Sequence, residues 1–167
     1  IKLFIYHADE DDPKKCSARK LAKFNYAKLE TNIRKTKRKT ILLNPFAEKS
    51  ISKEDIDITH KNGILAVDCS WKNADSAFEY LDKKNFSRAL PFVVAVNPVN
   101  YGKAFKLTTI EAFSAALYIL GHVKKAREIL EIYKWGPHFL EMNKEPLERY
   151  KSAETSKEII EIMKDYR

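Results

Sequence analysis

Cysteine is scarce in this chain: Cys16 and Cys69 are the only two among 167 residues. They are too few and too far apart for a zinc site of the paired-cysteine type, and a disulfide between them is not expected in a reducing compartment. Both read as small buried thiols. There is no Gly-rich phosphate loop and no serine-nucleophile elbow, which argues against NTPase, dehydrogenase and hydrolase chemistry. Histidine is also sparse. His7, His60, His122 and His138 contain no pair at helical metal-ligand spacing, and no metal is implied. Long apolar runs are missing too. Residues 64–67 and 92–96 have the length of buried strands, and no run approaches the roughly 20 residues that span a bilayer. The opening Ile1-Lys2-Leu3-Phe4-Ile5-Tyr6 turns acidic at Asp9 and reads as a first strand, because a secretory leader needs a longer apolar region and a small-residue cleavage site. These absences lead to the expectation of a cytoplasmic protein with no membrane contact.

Positive charge is in surplus. A formal net charge of +8 and a pI of about 9.3 suit a polyanionic partner, although a solvated basic surface explains the same balance. The hydrophobic fraction of 44% is ordinary for a globular protein. The length allows one compact domain or two small lobes sharing a core.

In the first half, short apolar runs at 3–6, 41–43, 64–67 and 92–96 predict strands, with a weaker one at 27–30. They are nearly continuous rather than alternating, as in a sheet buried on both faces. Helix-like segments at 18–26 and 74–81 lie between them. This order predicts an α/β lobe with a mainly parallel sheet. The basic run 33–40 reads as a loop. After about Asn97 the composition turns helical, at 110–120, 123–133, 140–150 and 156–164. Thr108-Thr109-Ile110-Glu111 has the form of a capping box, and Gly121 is placed to end the helix that follows. The expected division is an α/β lobe over 1–90 and an all-helical lobe over 91–167, with a binding pocket between them.

Ligands of open parallel sheets bind at the carboxyl ends of the strands. Each strand exit here carries turn, polar or aromatic residues. Asp68 and Trp71 together offer a carboxylate and a stacking face to a cationic, aromatic ligand; equally, Asp68 caps the helix near Ala74 and Trp71 fills a core gap. Asn97-Pro98-Val99-Asn100-Tyr101-Gly102 is a plain loop on composition. Ser17 reads as the cap of a helix starting at Ala18, whose N-terminus favours an anion such as a carboxylate or phosphate. Lys14, Lys15, Arg19, Lys20 and Lys23 form a local basic cluster, suited to RNA phosphates or simply to solvent.

Seven motifs occur in order: Asp12-Pro13-Lys14-Lys15-Cys16-Ser17, Leu42-Leu43-Asn44-Pro45, Val67-Asp68-Cys69-Ser70-Trp71, Arg88-Ala89-Leu90-Pro91, Asn97-Pro98-Val99-Asn100-Tyr101-Gly102, Leu107-Thr108-Thr109-Ile110-Glu111-Ala112 and Lys134-Trp135-Gly136-Pro137-His138-Phe139. Singly they are weak; in series, to about Tyr150, they resemble the ribosomal-RNA aminocarboxypropyltransferase family of archaea and eukaryotes, which serves small-subunit ribosome maturation. The resemblance implies a fold similar to SPOUT-class RNA methyltransferases, with a deep trefoil knot building a pocket for S-adenosylmethionine (SAM). It implies that Leu43, Pro45 and Trp71 enclose adenine, that Leu90 and Leu107 lie near the same ring, and that Thr108 and Ala112 also bind the co-substrate. It further implies that Val67 touches the ribose, that Asp68 lies by the methionine portion, that Ser17 lies near its carboxylate, and that Trp71 and Ala74 shelter the methyl group. The implied reaction transfers the 3-amino-3-carboxypropyl group to N3 of a uridine or pseudouridine, with Asp68 as base or anchor. Lys14, Lys15, Arg19, Lys20, Lys23, Lys72 and Arg88 are the expected contacts to small-subunit ribosomal RNA or a pre-ribosome. The family resemblance also implies a monomer. A SPOUT-type RNA methyltransferase using the same pocket and a non-catalytic RNA-binding assembly factor are the competing readings.

Overall fold

A computed structural model describes residues 1–8 and 16–166, with the side chain of Trp71 outside that description. Five strands, β1 (Leu3–His7), β2 (Lys28–Glu30), β3 (Ile41–Leu43), β4 (Ile64–Asp68) and β5 (Phe86–Arg88), form one sheet in the order β2-β1-β4-β3-β5. Every pairing is parallel. Helices α1 (Ser17–Lys23), α2 (Ile56–Asn62) and α3 (Trp71–Asp82) lie between the strands in sequence; α4 (Thr109–Ile119), α5 (Val123–Leu130), α6 (His138–Met142), α7 (Lys144–Ser152) and α8 (Ser156–Met163) follow. The α/β class with a parallel sheet is as the apolar runs foretold.

Successive strand residues point to opposite faces, and the two faces bury different clusters. Leu42 and Leu65 pack with Ala74, Phe78 and Leu81 of α3. Their neighbours Ile41, Leu43, Ile64 and Ala66 join Leu3 and Ile5 in a larger core with α1, α4, α5, α7 and α8. That core draws on both halves of the chain. Its centre is α4, which is buried on nearly every side from Ile110 to Ile119, so it behaves as a core helix rather than an amphipathic surface one. Among the described residues no helix is long and apolar enough to cross a membrane.

The apolar run at 92–96 is not a ladder strand. Only an isolated antiparallel bridge, Val94 to Ala104, forms there. Residues 93 and 95 bond the backbone of 102–105, and side chains serve the other edge: Asn143, buried between α6 and α7, accepts from Val94 N at 2.8 Å and donates to Val94 O at 2.9 Å. Glu111 accepts from Val96 N at 2.7 Å. Apolarity reported burial correctly, but burial here is met without a sheet partner. Asn143→Leu is expected to leave both Val94 groups unpaired and to lower the unfolding free energy by about 2–3 kcal/mol; chemical denaturation measures it. The strand β5 and helix α2 went unforeseen. The strand lies at the sheet edge and carries Ser87 and Arg88, so it has no apolar run. The helix is only 7 residues long.

Other boundaries moved by a few residues. Helix α3 starts at Trp71 rather than near Ala74, α5 stops at Leu130, and the segment expected as one helix over 140–150 breaks at Asn143 into α6 and α7. Gly121 does end α4, at φ +94°.

Candidate active site

The strand order sorts the exits by chemistry. At one end β1 and β4 lie side by side, with His7 in register with Asp68. At the other, β3 and β5 lead into Asn44-Pro45 and Ala89-Leu90. Neighbouring strands are about 4.8 Å apart, so the carboxylate of Asp68 and the apolar Leu43, Pro45 and Leu90 serve different parts of one cleft. Asn44 turns the chain out of β3: its side-chain oxygen accepts from Phe46 N at 2.9 Å, and its amide donates to Ser87 Oγ at 3.1 Å. Above the sheet, the capping box of Thr108 and Glu111 starts α4. Glu111 is fully buried and also accepts from Asn97 Nδ2 at 2.7 Å. One carboxylate therefore ties both ends of the 97–108 loop to the first turn of α4.

These segments surround a cavity of about 790 Å³, within the size range of small-molecule and cofactor sites. Leu43, Pro45, Leu90 and Leu107 line it; so do Val67, Ala74 and Ala112, and the polar Ser17, Asp68 and Thr108. Residues singled out between Ser17 and Ala112 in the sequence thus meet at one place. Trp71 begins α3 beside this cavity wall in sequence, but its side chain lies outside the described residues. A cavity lined by apolar residues at the β3 and β5 exits and by a carboxylate and a hydroxyl at Asp68 and Ser17 fits a ligand with an apolar ring system at one end and charged groups at the other.

Two expectations for the polar end change. Ser17 does not cap its own helix: Cys16 is the N-cap residue, without a side-chain cap bond, and Ser17 Oγ accepts from Ile110 N of α4 at 3.4 Å. Asp68 does not cap α3, whose N-cap is Ser70. Instead the Cys16 thiol donates to Asp68 Oδ2 at 3.3 Å, and His7 Nε2 lies 3.2 Å from Cys16 Sγ and 3.5 Å from Asp68 Oδ2. His7 and Cys16 were read as unremarkable. The available signal for His7 was that it ends a strand beside Asp68; for Cys16 it was adjacency to Ser17. Nitrogen, sulfur and oxygen donors converging in this way are the one cluster among the described residues able to hold a metal ion.

Burial, with the Asp68 carboxylate adding to it, pushes the Cys16 thiol up to about 11 from an ordinary 9.0. The folded state therefore holds this proton more tightly than the unfolded chain. The corresponding stability is fully present below pH 9 and is lost as pH rises through about 11. Discounted for water entering the cavity, the loss is about 1–2 kcal/mol. Cys16→Ala is expected to flatten this alkaline limb in denaturation curves taken from pH 8 to pH 11.

The basic residues divide. Lys14 and Lys15 lie outside the described residues. Lys23 and Lys72 are exposed and Arg19 is half-buried. The Lys20 ammonium sits 4.6 Å from the ring centre of Tyr133, itself stacked on Trp135 at 4.8 Å. Arg88 departs from its expected role: its guanidinium is mostly buried, donating from Nε to Asp55 Oδ1 at 3.0 Å. An arginine needed to neutralise a buried carboxylate is not on offer to RNA. The histidines are also less scattered than they look. His60 meets His122 at 3.0 Å, and His138 meets the Tyr101 hydroxyl at 3.0 Å.

Comparison with known proteins adds four findings. The family model described as "Ribosome biogenesis protein, C-terminal" matches residues 41–167. The 16S rRNA aminocarboxypropyltransferases of Methanosarcina mazei and Methanocaldococcus jannaschii are each 48% identical, over 99% of this chain and 95% of theirs. The solved structure of the SAM-dependent rRNA:acp-transferase Tsr3 from Vulcanisaeta distributa superposes with a TM-score of 0.87 at 37% identity, covering 99% of this chain and 95% of that one. A further model, "Possible Fer4-like domain in RNase L inhibitor, RLI", matches residues 1–36. Iron–sulfur clusters need several cysteine thiolates. This stretch holds Cys16 alone, so its residues do not fit such a cluster.

Proposed function

Because this chain belongs to the 16S rRNA aminocarboxypropyltransferase family, we propose that it transfers the 3-amino-3-carboxypropyl group of SAM to N3 of a uridine-type base, such as N1-methylpseudouridine, in small-subunit ribosomal RNA. The observation that carries the reading is the cavity at the strand ends, apolar beside Leu43, Pro45 and Leu90 and polar at Ser17 and Asp68. SAM, consumed as co-substrate, supplies the electrophilic Cγ next to its sulfonium.

Leu43, Pro45, Leu90 and Leu107 enclose the adenine, and Val67 meets the ribose. Trp71 and Ala74 cover the methyl group, with Thr108 and Ala112 closing the wall. Ser17 holds the amino-acid end, and the Asp68 carboxylate faces it. Burying the methyl leaves the aminocarboxypropyl arm as the reachable carbon chain. The N3–Cγ bond then forms as the Cγ–S bond breaks, its electron pair neutralising the sulfonium and releasing methylthioadenosine. The N3 proton leaves to Asp68 and from there to water. Most of the acceleration comes from orientation, worth about 7–11 kcal/mol in ideal cases.

In this reading residues 1–90 and 91–167 act as two lobes around the co-substrate, joined by a SPOUT-like trefoil knot. The protein works as a cytoplasmic monomer on ribosomal RNA or a pre-ribosome. The target base must be unpaired, so a hairpin loop suits it. Lys14, Lys15, Arg19, Lys20, Lys23 and Lys72 lie along its backbone. RNA affinity is therefore expected to fall steeply with salt; a flat response in a filter-binding titration from about 50 to 200 mM salt counts against this surface.

The deciding experiment uses two SAM preparations, labelled in the carboxyl group or in the methyl. Carboxyl label entering RNA with methylthioadenosine released supports the transferase. Methyl label entering with S-adenosylhomocysteine released makes the protein a methyltransferase. RNA binding with no label from either leaves an assembly factor.

A further inference from the structure

Three polar side chains from three elements meet beneath the polar end of the cavity. His7 ends β1 and is fully buried. Cys16 precedes α1 and is 4% exposed. Asp68 ends β4. Two contacts fall on one oxygen of the carboxylate, Oδ2: the Cys16 thiol at 3.3 Å and His7 Nε2 at 3.5 Å. The ring nitrogen and the sulfur are themselves 3.2 Å apart, so the three atoms close a triangle.

Such a cluster is costly in a core. Buried polar groups give up water, and apolar residues of the same volume stabilise at least as well. The surrounding positions of β1 and β4 are in fact apolar: Leu3, Ile5, Ile64 and Ala66. The polar exception falls only at the last residue of each strand, where the sheet meets the cavity. Cys16 and Asp68 both form part of the cavity wall, and His7 stands behind them. The raised thiol remains protonated at neutral pH and so stays a donor to the carboxylate.

We propose that His7 and Cys16 are positioning residues: together they hold Oδ2 of Asp68 and so fix the direction in which this carboxylate faces the reacting end of the co-substrate and the incoming base. The inference rests on the transferase reading for its consequence, though not for its geometry. Neither residue touches a reactant in this scheme. Their effect runs through the aim of Asp68, and a carboxylate displaced by about 1 Å can cost on the order of 100-fold in rate.

The test uses four variants of the full chain. Cys16→Ala and His7→Leu remove the two contacts. Cys16→Ser and His7→Gln keep a hydrogen-bonding atom near Sγ and Nε2. The single-turnover rate at saturating SAM is expected to fall by about 10–100-fold in the first pair, with the SAM dissociation constant changed by no more than about threefold. The second pair is expected to recover to within about threefold of wild type. Wild-type rates in all four variants overturn the proposal. So does a loss of rate, SAM affinity and melting temperature together without rescue by the conservative pair, which is the mark of a merely structural role. One equivalent of zinc that copurifies with the wild type and is absent from Cys16→Ala also overturns it, in favour of a metal site. A readout independent of turnover separates this idea from the transferase reading. The ¹⁵N resonance of His7 Nε2 is expected to move in Asp68→Asn and in Cys16→Ala. If the wild type transfers no label, the transferase reading fails, and the resonance still decides: unmoved in both variants, it overturns the clamp.

Discussion

Asp68→Ala is expected to lower the single-turnover transfer rate by about 10²–10⁴-fold, the range in which a positioned general base contributes, while SAM affinity changes little. Position is the reason. Asp68 closes β4 at the polar end of the cavity, in register with His7 and bonded to the Cys16 thiol, whereas Leu43, Pro45 and Leu90, assigned to the adenine, lie at the β3 and β5 exits. Removing the carboxylate leaves those apolar walls intact. Isothermal titration with SAM beside a quench assay separates the two quantities. Should affinity collapse instead, Asp68 is an anchor for the substrate amino group or a counter-charge to the sulfonium, and proton removal belongs to water. Asp68→Asn sharpens the comparison, since it keeps the shape and a hydrogen-bonding oxygen but cannot take the proton.

The largest stability effect is expected at Arg88→Met. Asp55 is 1% exposed. Besides Arg88, it is held by Ser52 N, which donates to Oδ2 at 3.2 Å in the capping box before α2. Arg88 also donates to the Ser87 carbonyl at 2.8 Å. Breaking one side of a buried ion pair leaves a charge without compensation and costs about 3–5 kcal/mol, or roughly 10 °C in melting temperature for a chain of this size. Burial pushes the Asp55 carboxyl above its ordinary 3.8, against the pull of Arg88; without the arginine it rises further. A raised pKa means that the folded state binds the proton more tightly, so this contribution is present below the unfolded value and is lost as pH rises through the folded one. The penalty of Arg88→Met is therefore expected to be larger at pH 7 than near pH 4. Adding Asp55→Asn is expected to restore much of the loss at pH 7, because it removes the stranded charge. Equal penalties at the two pH values would show that the pair matters through packing alone.

The sequence stated the fold class through periodicity. Apolar runs at 3–6, 41–43 and 64–67 became β1, β3 and β4 because a strand covered on both faces must be apolar at every position. The capping box at Thr108 and Glu111 and the stop at Gly121 located α4, because caps satisfy backbone groups locally. The run at 92–96 misled for the same reason that the others did not. It is buried as they are, but its backbone bonds go to the 102–105 loop and to side chains, Glu111 at Val96 and Asn143, almost 50 residues away, at Val94, and no local pattern announces a partner that distant. Strand β5 went unseen because an edge strand need not be apolar.

At the site, the sequence by itself determined which residues stand at strand exits, and the ordered motifs named their family. Ser17, Leu43, Pro45, Val67, Asp68, Ala74, Leu90, Leu107, Thr108 and Ala112 were all legible as types and positions. What only the tertiary structure decided is how they are shared out. The order β2-β1-β4-β3-β5 put the carboxylate beside His7, Leu43 one strand away and Leu90 two, made Cys16 a donor to Asp68, took Ser17 to α4 rather than to its own helix, and turned Arg88 inward to Asp55. These are contacts between residues 9 to 93 positions apart. They follow from crossover connections that bring distant segments into register, and a one-dimensional pattern carries no term for that closure.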